Sequence, residues 1–124
     1  MTLEQQRAAT AYGHVQQVPP EHRERYGAMA QKLPVLLRTA GLCQALHFVR
    51  SRKKPPFDLL LDHLAQQMQR AHAGIADGGS LCDAVRSADL PTYLWLSREA
   101  LSSAEWYARL AQSELGVGRE VEVR

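Results

Sequence analysis

Cys43 and His47 stand four residues apart, a spacing that sets a thiol and an imidazole on the same side of a helix, as two zinc ligands would be. A closed site needs two more donors. His63, His72 and Cys82 are the remaining candidates, yet none pairs with another at ligand spacing, so a buried thiol beside a satisfied imidazole is the simpler expectation. Asp58 and Asp62 are also one turn apart, with His63 adjacent, a set compatible with acid/base chemistry or divalent-ion hydrolysis. Adjacent helical residues point about 100° apart, however, and carboxylates in a first turn are stabilised by the unpaired N–H groups there. The chain has no glycine-rich phosphate loop, no Gly-x-Ser-x-Gly turn and no zinc-protease helix motif. The expectation is therefore a protein with no catalytic residues, no metal and no cofactor.

The run Arg50, Arg52, Lys53 and Lys54 puts four cations within five residues, just ahead of Pro55-Pro56. Cations at the C-terminal end of a helix are stabilising in themselves, which is the plain reading of such a run. If it instead meets a single-stranded phosphate backbone, four neutralised phosphates imply a log–log salt slope of about −3. Trp95 and Trp106 are eleven residues apart, so on one helix they point within about 20° of each other. An aromatic pair at the border of an apolar stripe reads as core edge, as a protein interface, or as a base-stacking platform, in that order.

The elements that must position these residues are helices. Thr2 and Gln5 have capping-box spacing, and Ala8, Ala11, Tyr12, Val15 and Val18 follow at three- and four-residue intervals. Pro19-Pro20 ends that helix; a second runs from about Glu21 to Gly41, and Pro34 should kink or divide it. Leu42, Ala45, Leu46 and Val49 restart helical spacing up to the basic run. A further helix is expected from about Asp58 to Ala73, then a short one opened by Ser80 with Asp83. The last helix is capped by Asp89 and runs to about Leu115, with Leu94, Leu101, Ala104, Ala108 and Ala111 on one side and Leu96, Ala100, Tyr107 and Leu110 further round as a broad core wall. The only alternating stretch, Val117 to Arg124, has no strand to pair with and reads as a loose tail.

At 124 residues, 45% hydrophobic and 23% charged, the chain has material for one domain. The expected fold is all-α, a single compact bundle of five to six helices over residues 1–115, followed by a flexible tail over 116–124. No apolar run approaches the roughly 20 residues that span a bilayer. Two cysteines are too few for a disulfide framework, and the start shows no secretory pattern, so a cytoplasmic protein without membrane contact is expected. A formal charge of +2 leaves any acidic partner to be met by a local patch.

The order of several short motifs resembles a known family, the small helical (fifth) subunit of the Cmr effector complex of type III-B CRISPR systems. The residues that carry it are Tyr26-Gly27, Lys32-Leu33-Pro34, Gly41-Leu42, Gln44-Ala45-Leu46 and Phe48, Ser51-Arg52-Lys53, and then Tyr93, Trp106 and Arg109. Ala40 replaces the Asn that often precedes Gly-Leu in that family. The resemblance implies a non-catalytic subunit, stacked in several copies beside the subunits that hold the guide RNA, helping to receive target RNA. It implies RNA contact at Arg50, Arg52, Lys53 and Lys54 first, and at Lys32, Arg38, Arg98 and Arg109 second. Trp95 and Trp106 are the expected interface residues toward other Cmr subunits and copies of the chain itself. Two other readings stay open on the residues alone: a helical protein-interaction module of another assembly without RNA contact, and a small metal-dependent hydrolase built on Cys43, His47, Asp58 and Asp62.

Overall fold

A computed structural model describes residues 1–117. Among these residues lie six α-helices and one 3-10 turn, with no strand: α1 (Leu3–Gln16), the turn Pro20–His22, α2 (Arg23–Ala40), α3 (Leu42–Ser51), α4 (Pro55–Met68), α5 (Gly78–Ser87) and α6 (Leu90–Glu114). The all-α bundle expected from the sequence is the fold.

The termini of the helices follow from side chains that satisfy their unpaired N–H groups. Thr2 Oγ1 accepts the Gln5 N–H at 3.1 Å and Gln5 Oε1 accepts the Thr2 N–H at 2.7 Å, which is the reciprocal box the spacing predicts. Asp89 caps α6 through the Thr92 N–H at 3.0 Å. Two starts differ from expectation. The cap of α5 is Asp77, whose Oδ1 accepts the Ser80 N–H at 2.8 Å, so Ser80 is the returning partner of the box and not its first residue. Helix α4 opens at Pro55, not Asp58; proline costs nothing in a first turn, where its missing N–H would have had no partner. The helix also ends at Met68, short of Ala73.

Pro34 neither ends nor divides α2, which passes through it from Arg23 to Ala40. One intrahelical bond is lost there, but Leu33, Pro34 and Leu37 are all buried, and this packing outweighs the missing bond.

Three side-chain pairs, Arg7–Glu99, His14–Tyr107 and Gln16–Glu114, show α1 and α6 running parallel. Helix α2 lies antiparallel to α6, since Gln31 Nε2 donates to Ala108 O while Arg38 meets Glu105, nearer the start of α6. The largest enclosed side chains, Tyr26, Met29, Leu33, Leu46, Phe57, Leu64 and Tyr107, come from α2, α3, α4 and α6. On α6 the buried residues are Leu96, Ala100, Ser103, Ala104, Tyr107 and Ala111. Leu94 is 54% exposed and so is not part of the core wall; Tyr12, expected inward on α1, is also exposed. Val117 is buried against Gly27, where a Cβ would come within 2.6 Å of Val117 Cγ2. The remainder of the expected tail, residues 118–124, lies outside the described residues.

Candidate nucleic-acid interface

Helix α3 delivers the basic run. Its last turn carries Arg50, and Ser51 closes it by donating its hydroxyl to Phe48 O at 2.7 Å. Lys53 then adopts φ 52°, a left-handed conformation that few non-glycine residues take. Lys54 is extended, the conformation that a following proline favours. The chain therefore turns sharply between two helices, and the cations sit on that corner.

The four members of the run do not act as one patch. Arg50 turns toward the first turn of α5, with Nη2 3.7 Å from where a Cβ on Gly79 would stand. Arg52 turns the other way, its guanidinium carbon 5.8 Å from the centroid of Phe48. There it is joined by Lys32 of α2, whose Nζ lies 5.4 Å from the same centroid. The corner thus gathers Lys32, Arg52, Lys53 and Lys54, and no ion pair among the described residues involves any of them.

The other candidate cations are elsewhere. Arg38 is paired to Glu105 at 2.9 Å, exposed on both sides. Arg109 shares with that pair a groove of about 290 Å³ between α2 and α6, lined also by Pro34 and Gln112. Arg98 borders an apolar hollow formed by Leu37, Leu42, Tyr93 and Leu101. These three are not brought to the α3 corner. Trp95 is 43% exposed and keeps company with Leu90 and Leu94 at the open end of α6. Trp106 instead leans on the core and lines a separate hollow with Glu4, Arg7 and Arg109. The pair is therefore split between an exposed residue and a largely seated one.

Most of the residues with possible acid/base or metal chemistry have structural partners. Asp62 Oδ1 accepts the Gly78 N–H at 2.8 Å and so caps α5 from α4. Asp58 lies exposed in the first turn of α4. His47 Nε2 is 3.5 Å from Arg86 Nη1, which belongs to a guanidinium paired with Asp83. Among the described residues no three His, Cys, Asp or Glu converge as a metal site would require. Cys43 contributes through its backbone: its N–H donates to Tyr93 Oη at 3.0 Å. Gly41, which precedes α3, has no side chain to cap it, so a hydroxyl from α6 does so. Tyr93→Phe should cost about 1 kcal/mol, read from the urea midpoint; an unchanged midpoint would show that the hydroxyl contributes nothing to the start of α3.

Sequence reasoning missed a buried polar cluster. Tyr26 Oη and His63 Nδ1 are 2.7 Å apart, as are His14 Nδ1 and Tyr107 Oη, and the two imidazoles stack at 4.2 Å. Tyr107 also donates to His63 O at 3.2 Å, and His14 Nε2 meets Gln66 Oε1 at 2.7 Å. Burial disfavours the charged form, pushing His63 down to about 3, with the neighbouring His14 adding to the effect. His14 is lowered for the same reason, while the Gln66 hydrogen bond opposes the shift. Both tyrosines are pushed up, chiefly by burial. Gln67, 1% exposed, donates to Arg7 O at 2.9 Å and accepts from Arg70 at 2.6 Å. A signal did exist: His63 and Gln67 interleave with Leu60, Leu64 and Met68 at helical spacing on the inner face of α4.

Residues 3–114 match the Cas_Cmr5 family of CRISPR-associated proteins. The chain is 46% identical over 107 residues to the CRISPR system Cmr subunit Cmr5 of Thermus thermophilus, covering 86% of this chain and 90% of that protein. It is similar in structure to a CRISPR-associated Cmr5 family protein from the same organism, with a TM-score of 0.75, 42% identity, and coverage of 91% of this chain and 96% of the other. These likenesses give no support to an interaction module from an unrelated assembly. With the six-helix bundle, the ordered motifs and near-complete coverage agreeing, the chain belongs to the Cas_Cmr5 family.

Proposed function

We propose that this chain is a non-catalytic subunit of a type III-B Cmr ribonucleoprotein. It stacks beside the guide-RNA backbone subunits in the cytoplasm and helps hold target RNA during antiviral defence. The observation that carries the reading is the α3 corner, where Lys32 and Arg52 meet over Phe48, Lys53 and Lys54 follow in the chain, and none of the four has an ion-pair partner among the described residues. Four cations without ion-pair partners at one turn of the chain suit a phosphate backbone, which they position without reading its sequence. Arg50 drops out of this set because it faces α5, and Arg38 because Glu105 holds it.

The partners in this reading are other Cmr subunits and further copies of the chain. The exposed end of α6, with Leu90, Leu94 and Trp95, is the face assigned to a protein neighbour, since contiguous exposed apolar residues of this kind mark interaction surfaces. Catalysis has no part in it: Asp62 caps α5, His47 meets Arg86, His63 fills the core, and Asp58 lies exposed in a first turn.

Replacing Lys32, Arg52, Lys53 and Lys54 together with Ala should leave the helical content of the chain unchanged by circular dichroism. Target-RNA capture by the reconstituted complex should fall by roughly tenfold at moderate salt, a loss of about 1.4 kcal/mol. Unchanged capture by a folded variant would falsify the reading.

A further inference from the structure

We infer that Phe48 is a positioning residue, which holds Lys32 of α2 and Arg52 of α3 together as one two-cation clamp for RNA phosphates; this rests on the RNA reading above.

Lys32 and Arg52 come from different helices, and each has a long side chain with many rotamers to lose on binding. Like charges brought to one place repel each other, so something must hold them there. Phe48 is the only aromatic ring within cation–π reach of either among the described residues. Both cations fall inside the roughly 6 Å over which the negative face of a ring attracts them. The ring itself is fixed, being half-buried and packed against the core. Arg52 lies one turn beyond Phe48 at the end of α3, and helical side chains lean back toward the N-terminus, which carries its guanidinium over the ring. After Arg52 the left-handed Lys53 takes the backbone away, leaving the pair accessible.

The arrangement also selects the part of RNA that is bound. A base stacks on a free aromatic face, but here cations already stand over Phe48, so the clamp takes the phosphodiester and not the nucleobase. Its preference among RNA sequences is accordingly weak.

The test uses the reconstituted complex containing the full chain, with target-RNA capture measured across a salt series. Phe48→Leu keeps the apolar packing and removes the ring's face; Phe48→Tyr restores that face. Phe48→Leu should weaken capture about fivefold and make the log–log salt slope shallower by about 0.7 to 1.4, one or two phosphates at 0.7 each. Phe48→Tyr should bind like the parent. In a double-mutant cycle, Phe48→Leu should cost less when Lys32 is already Ala. Weakened capture with an unchanged slope and strictly additive effects would mean that Phe48 acts only through the bundle, and the inference would be wrong. Unchanged capture by Phe48→Leu, while the variant lacking all four cations loses RNA, would overturn the inference and leave the RNA reading standing. If that variant also captures normally, the RNA reading itself fails. Should Phe48→Leu not fold, Phe48→Met, which also fills the space without an aromatic face, supplies the same comparison: weaker capture with a shallower slope sustains the clamp, and parent-like capture removes it.

Discussion

Acidification from pH 7 to 4.5 should lower the unfolding free energy by roughly 2 to 3 kcal/mol through His63 alone, at 1.36 kcal/mol per unit over the interval. The sign follows from proton binding. Unfolded, His63 titrates near 6.5; folded, it titrates near 3. Between these values the unfolded chain takes up a proton that the folded chain refuses, so stability is complete above about 6.5 and is lost as the pH falls toward 3. His14 is lowered as well and works in the same direction. Asp77 and Asp89 are held below the ordinary carboxylate range, each by hydrogen bonds with the helix it caps, so their contributions fade only at lower pH. Urea unfolding followed across pH 7 to 4.5 checks the expectation. His63→Gln, which keeps both a donor and an acceptor for the Tyr26 hydroxyl and cannot take up a proton, should be less stable at pH 7 and have a flatter profile. Equal slopes for the two proteins would remove His63 as the source.

Gly78→Ala should destabilise the bundle by about 3 kcal/mol. A Cβ at Gly78 would stand 2.9 Å from Leu61 Cβ and 3.2 Å from Asp62 Oδ1. The first of these neighbours sits close to its own backbone and cannot swing aside, so α5 must move away from α4. That movement also lengthens the 2.8 Å bond from the Gly78 N–H to Asp62. Overpacking typically costs about 1–3 kcal/mol and a lost hydrogen bond about 1. Thermal unfolding of the variant should begin well below that of the parent, and an unshifted transition would show that the α4–α5 contact yields without strain. The same contact gives the second carboxylate of the Asp58/Asp62 pair a structural task, since it is occupied in starting the next helix.

Much of the fold could be read from the chain because local rules and burial agree along most of it. The box at Thr2, the cap at Asp89, the glycine before α3 and the apolar spacing of α4 each point to the element observed. The misreadings have distinct causes. Pro34 breaks isolated helices, but buried flanking leucines hold this one. Asp77 is hard to recognise as the cap of α5 because Gly78-Gly79 resembles a loop, whereas the glycine is needed for the close approach to Leu61. Leu94 has the spacing of a core residue, yet α6 turns it outward because the neighbouring positions of Leu96 and Ala100 face the core. For the candidate site, the basic corner is visible in the sequence but its membership is not. Only the packing of α2 on α3 brings Lys32 to Phe48, whereas helical geometry alone sets Arg50 and Arg52 about 200° apart. Likewise, no one-dimensional pattern announces that a histidine on α1 stacks on another from α4.

In the proposed role, one corner of the bundle neutralises phosphates. Its most direct measurement is the salt dependence of target-RNA capture by complexes carrying either the parent chain or the chain with Lys32, Arg52, Lys53 and Lys54 replaced by Ala. The log–log slope should become shallower by about 3, four phosphates at about 0.7 each. Parallel lines for the two complexes would contradict it.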